Sequence, residues 1–120
     1  MSALSKKLRD AEGGLLHFWC PGCDQVHNVR VVGEQPWIWN GDVEHPTFSP
    51  SVLVTYYKIS PEGMAMINRG DQPPDGKQYP GADVVCHSFV KEGRIQFLND
   101  CTHALAGQTV DLPEWTEIGT

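Results

Sequence analysis

The sequence predicts a mostly β fold: one small domain built as an antiparallel sheet or sandwich around a cysteine knuckle, with a short helical turn near its C-terminal end. Three observations carry this expectation. Twelve glycines and nine prolines among 120 residues mark a chain punctuated by turns. The apolar segments are short and rich in β-branched and aromatic residues, as strands require. The third is Trp19-Cys20-Pro21-Gly22-Cys23, two thiols on a tight turn, with only Cys86 and Cys101 as further cysteines. A chain of 120 residues fits one domain with a modest core. Residues 1–14 read as an N-terminal tail, 15–113 as the β domain and 114–120 as a C-terminal tail.

Residues 15–19 and 26–32 read as strands that flank the knuckle, the second alternating through Val29 and Val31. Trp37-Ile38-Trp39 is a short apolar strand, ended by Asn40-Gly41-Asp42, whose residues tolerate positive φ. Residues 51–58, dense in Val, Thr and Tyr, form the clearest long strand. Residues 60–81 contain four prolines and four glycines without periodicity and predict a long surface excursion, a place where partners are often met. Residues 83–91 and 94–99 form a last hairpin around Glu92-Gly93, after which Asp100 caps a short helical turn through Ala106.

Composition removes several function classes. A net charge of −6 with nine basic residues leaves no Lys/Arg stripe for a phosphate backbone, so no nucleic-acid partner is expected. The amino-terminal residues carry Lys6, Lys7 and Arg9 but no apolar run of signal or transmembrane length, so no membrane association is expected and the expected compartment is cytoplasmic. In a reducing compartment four cysteines favour thiols and metal over disulfides.

The last hairpin permits a geometric argument. A two-residue turn at Glu92-Gly93 pairs Lys91 with Arg94 and fixes the register behind it. Val84, Cys86, Ser88 and Val90 then share a face with Ile95, Phe97, Asn99 and, where the ladder continues, Cys101. Val85, His87 and Phe89 take the other face with Gln96, Leu98 and Asp100, which sets His87 diagonal to Asp100. Only a bulge would let Cys86 and His87 converge on one metal.

The expected metal shell is Cys20, Cys23, Cys86 and Cys101 around Zn2+, with His27 and His103 as substitutes for its weakest member. The competing reading of Cys86 is a small buried apolar residue. Trp-Cys-Pro-Gly-Cys also resembles the active site of thioredoxins, but there the second cysteine lies in a helix. Here a β-type segment follows, which supplies no helix N-terminus to lower a thiol pKa, so redox catalysis is set aside.

A second cluster, Glu44-His45-Pro46-Thr47-Phe48-Ser49-Pro50-Ser51, sits between two strands and is stiffened by two prolines. Ser51 is a candidate nucleophile, with His87 as base and Asp100 or Glu44 orienting the imidazole. Against this, hydroxyls beside prolines commonly only close turns. His17 and His45 read as surface or interface residues, while His103 is open to capping, coordination or catalysis.

Taken together, residues 18–27, Trp39-Asn40-Gly41-Asp42-Val43-Glu44, Pro46-Thr47-Phe48-Ser49-Pro50-Ser51-Val52, Cys86-His87-Ser88-Phe89-Val90 and residues 100–107 resemble a family of small phage and prophage proteins. The similarity covers most of residues 15–113. Some members are labelled ammonia monooxygenase, a label set aside because that chemistry needs a membrane-embedded metal assembly. The family distantly resembles the BubE-type peptidases of bacterial ubiquitin-like operons through the cysteine knuckle, the Ser-Pro-Ser turn and a histidine six residues before the hairpin glycine. On this resemblance Ser51 and His87 are the transferable pair, while Asp100, Cys101 and His103 take their roles from the hairpin geometry.

The resemblance implies a zinc-containing phage protein that acts as a serine-type peptidase or isopeptidase on a ubiquitin-like or other protein C-terminus, in the host cytoplasm if phage-encoded. Ser51, His87 and Asp100 form the expected catalytic set, and zinc is structural. Two alternatives stand beside it. One is a zinc metallopeptidase that uses Glu44 as base and His87 or His103 as ligand. The other is a non-catalytic, zinc-stabilised module that binds a protein through residues 60–81 and exposed tryptophans.

Overall fold

A computed structural model describes residues 2–11 and 13–115. Two antiparallel sheets share one core. The first is ordered β1-β2-β3-β4, from Ser2–Ala3, Arg9–Ala11, Leu15–Cys20 and Gln25–Arg30. The second is ordered β5-β6-β7-β8-β9, from Ile38–Trp39, Phe48–Ile59, Gly81–Lys91, Arg94–Phe97 and Thr109–Asp111. One helix, α1 (Pro61–Arg69), leaves the end of β6. The fold is mostly β and antiparallel, as composition and strand patterning predict.

The period of two along each strand builds the core. Leu16, Phe18 and Cys20 point inward from β3 and His27 and Val29 from β4. Phe48 and Val52 from β6, Cys86, Ser88 and Val90 from β7, and Ile95 and Phe97 from β8 meet them. Phe18 stacks on Phe48 at 6.3 Å between centroids, joining the two sheets.

The segment expected to be an N-terminal tail is part of the domain. β2 pairs with β3, Leu8 is fully buried, and the Ser5 hydroxyl donates to Val43 O at 2.6 Å. The far end joins it there: Trp115 N donates to Lys6 O at 2.7 Å, and its ring packs on Trp19 and under the Arg9 guanidinium. Strands of two or three residues are too short to show a periodicity, so only the burial of Leu8 and the contacts of Trp115 reveal that these segments are docked. The remaining residues of the expected C-terminal tail, 116–120, lie outside the described residues.

Residues 60–81, expected to be an irregular excursion, contain α1. Ser60 caps it by accepting from Gly63 N at 3.1 Å, Pro61 opens it, and Gly70 at φ 80° closes it with its N–H on Ile67 O. Gly63 is buried where a Cβ would collide with Pro80 O and Ile59, so this glycine is there for close packing. The expected C-terminal helical turn is a run of i→i+3 turns, with Ala106 N on His103 O and Gln108 N on Leu105 O.

The hairpin that carries the site has the register deduced from its turn. Lys91 pairs with Arg94, Val90 with Ile95, Phe89 with Gln96 and Ser88 with Phe97. Glu92 and Gly93 both have positive φ, 51° and 78°, as a type I′ turn demands. The ladder stops at Phe97, and residues 98–102 instead turn across the middle of β7, with Leu98 N on His87 O and Thr102 N on Val85 O.

Candidate active site and metal centre

Ser51 and His87 meet because β6 bulges. Phe48 pairs with Val90 and Val52 with Ser88, so three residues of β6, Ser49 to Ser51, stand where β7 has only Phe89. The bulge is held from outside. Glu92 N donates to Thr47 Oγ1 at 2.8 Å and Gly93 N to Pro46 O at 2.9 Å, tying the Pro46-Thr47 turn to the hairpin tip. Trp37 Nε1 donates to Ser51 O at 3.2 Å and fixes the serine backbone itself.

On the face of the second sheet turned away from the core, Ser51 Oγ lies 2.8 Å from His87 Nε2, and His87 Nδ1 lies 3.1 Å from Asp100 Oδ2. A carboxylate only accepts, so Nδ1 carries the proton and Nε2 presents its lone pair to the serine hydroxyl. The histidine side chain is 26% exposed and the aspartate 56%. This is the arrangement a general-base-assisted serine nucleophile needs.

The thiols lie on the other side of β7. Cys86 Sγ is 3.8 Å from Cys20 Sγ, and ligand atoms of Cys20, Cys23, His27 and Cys86 all lie within 4.8 Å of one another. The four can hold a metal ion. His27 is buried, its Nδ1 donates to Val26 O at 3.2 Å, and its Nε2 has no hydrogen-bond partner. A buried, unpartnered lone pair beside three thiols is what a fourth ligand looks like before its metal. The Cys23 N–H on Cys20 Sγ at 3.4 Å completes the turn of the knuckle. Hydrogen bonding from the Cys86 thiol holds the Cys20 thiol down to about 4, the same bond raises Cys86, and burial raises Cys23.

Cys101, expected as the fourth ligand, is engaged elsewhere. His87 N donates to its Sγ at 3.3 Å, and the thiol donates to His87 O at 3.2 Å. It also lies near Cys86 and His103 in a second group of three that could hold a metal ion. His103 is likewise committed. Leu105 N donates to its Nδ1 at 3.2 Å, which leaves the proton on Nε2, 3.4 Å from Cys86 Sγ. Its ring occupies the space a side chain at Gly22 would need. His103 is thus a donor to the Cys86 sulfur.

The hairpin argument that kept Cys86 and His87 on opposite faces holds. Glu44 lines a cavity with Ser5, Lys6, Arg9 and Trp115 and belongs to neither metal-chelating group among the described residues. His45 is exposed in a turn and His17 lies on β3, outside both sites. Trp37 and His27 are the functional neighbours that sequence reasoning left aside or placed second. The parity of His27 with Val29 and Val31 was the available signal for its inward direction.

The family model described as bacterial ubiquitination-like system serine protease (BubE) matches residues 3–98. The chain belongs to the BubE family. The matched span of this BubE-family chain contains Ser51, His87, Cys20, Cys23, His27 and Cys86, and ends before Asp100, Cys101 and His103. No curated protein and no solved structure matches the chain. No helix among the described residues is long and apolar enough to cross a membrane.

Proposed function

We propose that the protein is a serine peptidase or isopeptidase that cleaves at the C-terminus of a ubiquitin-like protein, with a structural zinc ion at Cys20, Cys23, His27 and Cys86. The observation that carries this reading is the unbroken chain from Ser51 through His87 to Asp100, at 2.8 and 3.1 Å. Membership of a family of ubiquitination-like system serine proteases supports the reaction class and a protein substrate. In this reading the reaction takes place in the bacterial cytoplasm, that of the host for a phage-encoded chain.

Ser51 Oγ attacks the scissile carbonyl while His87 Nε2 takes its proton, and the imidazolium is stabilised by the Asp100 carboxylate. The same proton passes to the leaving amine as the C–N bond breaks, leaving an ester on Ser51. Water, deprotonated by His87, then attacks the ester and restores the serine. Zinc, when bound, would fill a closed four-donor shell and cross-link the knuckle to β7, which leaves no position for a catalytic water.

The test is cleavage of a ubiquitin-like protein bearing a C-terminal extension, with labelling by a fluorophosphonate probe located by mass spectrometry. Wild type is expected to cleave and to be labelled on Ser51, while Ser51→Ala does neither and keeps its metal. Full cleavage by Ser51→Ala overturns the serine mechanism. Metal-replete protein that neither cleaves nor labels favours the binding-module reading.

A further inference from the structure

The residues around the candidate dyad form a small square on the outer face of the second sheet. Leu53 pairs directly with His87 and Val52 with Ser88, and Ser51 follows as the last residue of the bulge that stands opposite Phe89. All four share a face because they alternate with the inward residues Val52, Cys86, Ser88 and Val90. Ser51 and His87 occupy one diagonal, bonded at 2.8 Å. Leu53 and Phe89 occupy the other, 58% and 42% exposed.

Those exposures stand out by position. Phe89 lies between β6 and Gln96 of β8, and Leu53 stands beside it next to His87, so the two side chains make one apolar patch left in water around the dyad. Any chain that delivers a carbonyl to Ser51 Oγ must lie over this square and cover both side chains. The surface continues to either side. A cavity of about 240 Å³ runs from Phe89 along Arg94 and Gln96, and another of about 410 Å³ lies at Thr55, Tyr57 and Val85. The four steps of β7 from Val85 to Phe89 span about 13 Å, the length of about four extended residues.

We propose that Leu53 and Phe89 form the subsite that selects an apolar substrate side chain within two residues of the scissile bond. The inference rests on the serine-peptidase reading and adds to it the determinant of sequence preference. The substrate chain runs along the outer face, one apolar side chain packs between Leu53 and Phe89, and its burial seats the neighbouring carbonyl on Ser51 Oγ. A charged side chain at that position must be desolvated against two apolar groups without a partner, which is the source of discrimination.

The experiment measures kcat/KM on a ubiquitin-like protein with a C-terminal extension, in which each residue from two before to two after the cleaved bond is Leu, Gly or Asp in turn. Wild type should prefer Leu to Asp about tenfold or more at one position, the range available to an apolar pocket. Leu53→Ser or Phe89→Ser should bring that ratio to within about twofold of unity, and Leu53→Lys should invert it towards Asp. Ratios near unity at every position in wild type, or a ratio unchanged in the variants, overturn the subsite. So does a dimer that Leu53→Ser dissociates while the ratio stays constant, since the face is then an interface between copies. Ser51→Ala is assayed alongside. Its full cleavage overturns the serine reading whatever the ratios, whereas serine-dependent cleavage with flat ratios overturns the subsite alone.

Discussion

Cys101 bonds both backbone groups of His87, accepting from its N–H at 3.3 Å and donating to its carbonyl at 3.2 Å. The thiol thereby gives the His87 N–H a partner beyond the point where the pairing of β7 with β8 ends at Phe97, while the carbonyl also accepts from Leu98 N at 2.9 Å. Asp100, the preceding residue, reaches the ring of the same histidine. Two consecutive residues therefore fix the backbone and the imidazole of one base.

Cys101→Ala should keep its metal and lose activity. The expected loss is about ten- to a hundredfold in kcat with KM little changed, the scale of a misplaced catalytic group. Cys101→Ser, whose hydroxyl both donates and accepts, should recover most of it. Metal loss in Cys101→Ala, measured by elemental analysis, would return Cys101 to the ligand set.

Ser51→Ala and His87→Ala should each lower kcat by about four orders of magnitude or more, and the double variant should be no worse than either single one. Asp100→Ala should cost about a hundredfold less than either, since its carboxylate is 56% exposed and the histidine backbone keeps its Cys101 bonds. Steady-state kinetics on the four variants checks the order. Equal losses from Asp100→Ala and His87→Ala would contradict it.

The purified protein should hold about one zinc per chain. Cys20→Ser and His27→Ala should each lose it and melt roughly 10 °C lower or more, because an ion held by these residues would join β4 and the knuckle to β7. Chelation of wild type should give the same shift. An unchanged zinc content in His27→Ala would remove the histidine from the shell.

Gly22→Ala places a methyl group in the ring of His103. It should destabilise the protein by about 1–3 kcal/mol, as overpacking does. The cost should fall sharply when the same change is made in His103→Ala, and thermal melts of the four-member cycle measure that coupling. Additive losses would show that the clash is absorbed elsewhere.

Asp42 contributes to the acid response of the turn before Ser51. Its Oδ1 accepts from Glu44 N at 2.9 Å and His45 N at 3.0 Å, and these bonds hold the carboxyl below its ordinary value of 3.8. A carboxyl depressed in the folded state adds stability that is present above its unfolded pKa and is lost as pH falls through the folded value. Melting curves between pH 5 and about 2 should therefore converge for wild type and Asp42→Asn at the acid end. A difference that stays constant across the range would deny the carboxylate this role.

The parts of this molecule that were legible in its sequence are those fixed by short-range rules. Glu92-Gly93 dictates a type I′ turn, and counting back from it places Cys86 inward and His87 outward without further information. The knuckle was legible for the same reason. What could not be read depends on long-range packing. The ladder ends at Phe97 because residues 98–102 turn across β7, and that turn sets the Cys101 thiol on the backbone of His87 while it stays near Cys86. Helix α1 was legible in its caps, Ser60-Pro61 and Gly70, but hidden by Gly63, whose reason is the nearby Pro80 carbonyl.

Cys86 and His87 are successive residues of β7 that look to opposite sides, and this limits how the strand can drift over evolutionary time. One residue inserted or deleted between the pair and the hairpin tip would turn the sulfur outward and the imidazole inward, and lose both sites in a single event. Changes in twos keep the parity. Relatives of this chain should therefore keep a constant count from Cys86 to Gly93, while the segment that carries α1 is free to vary in length.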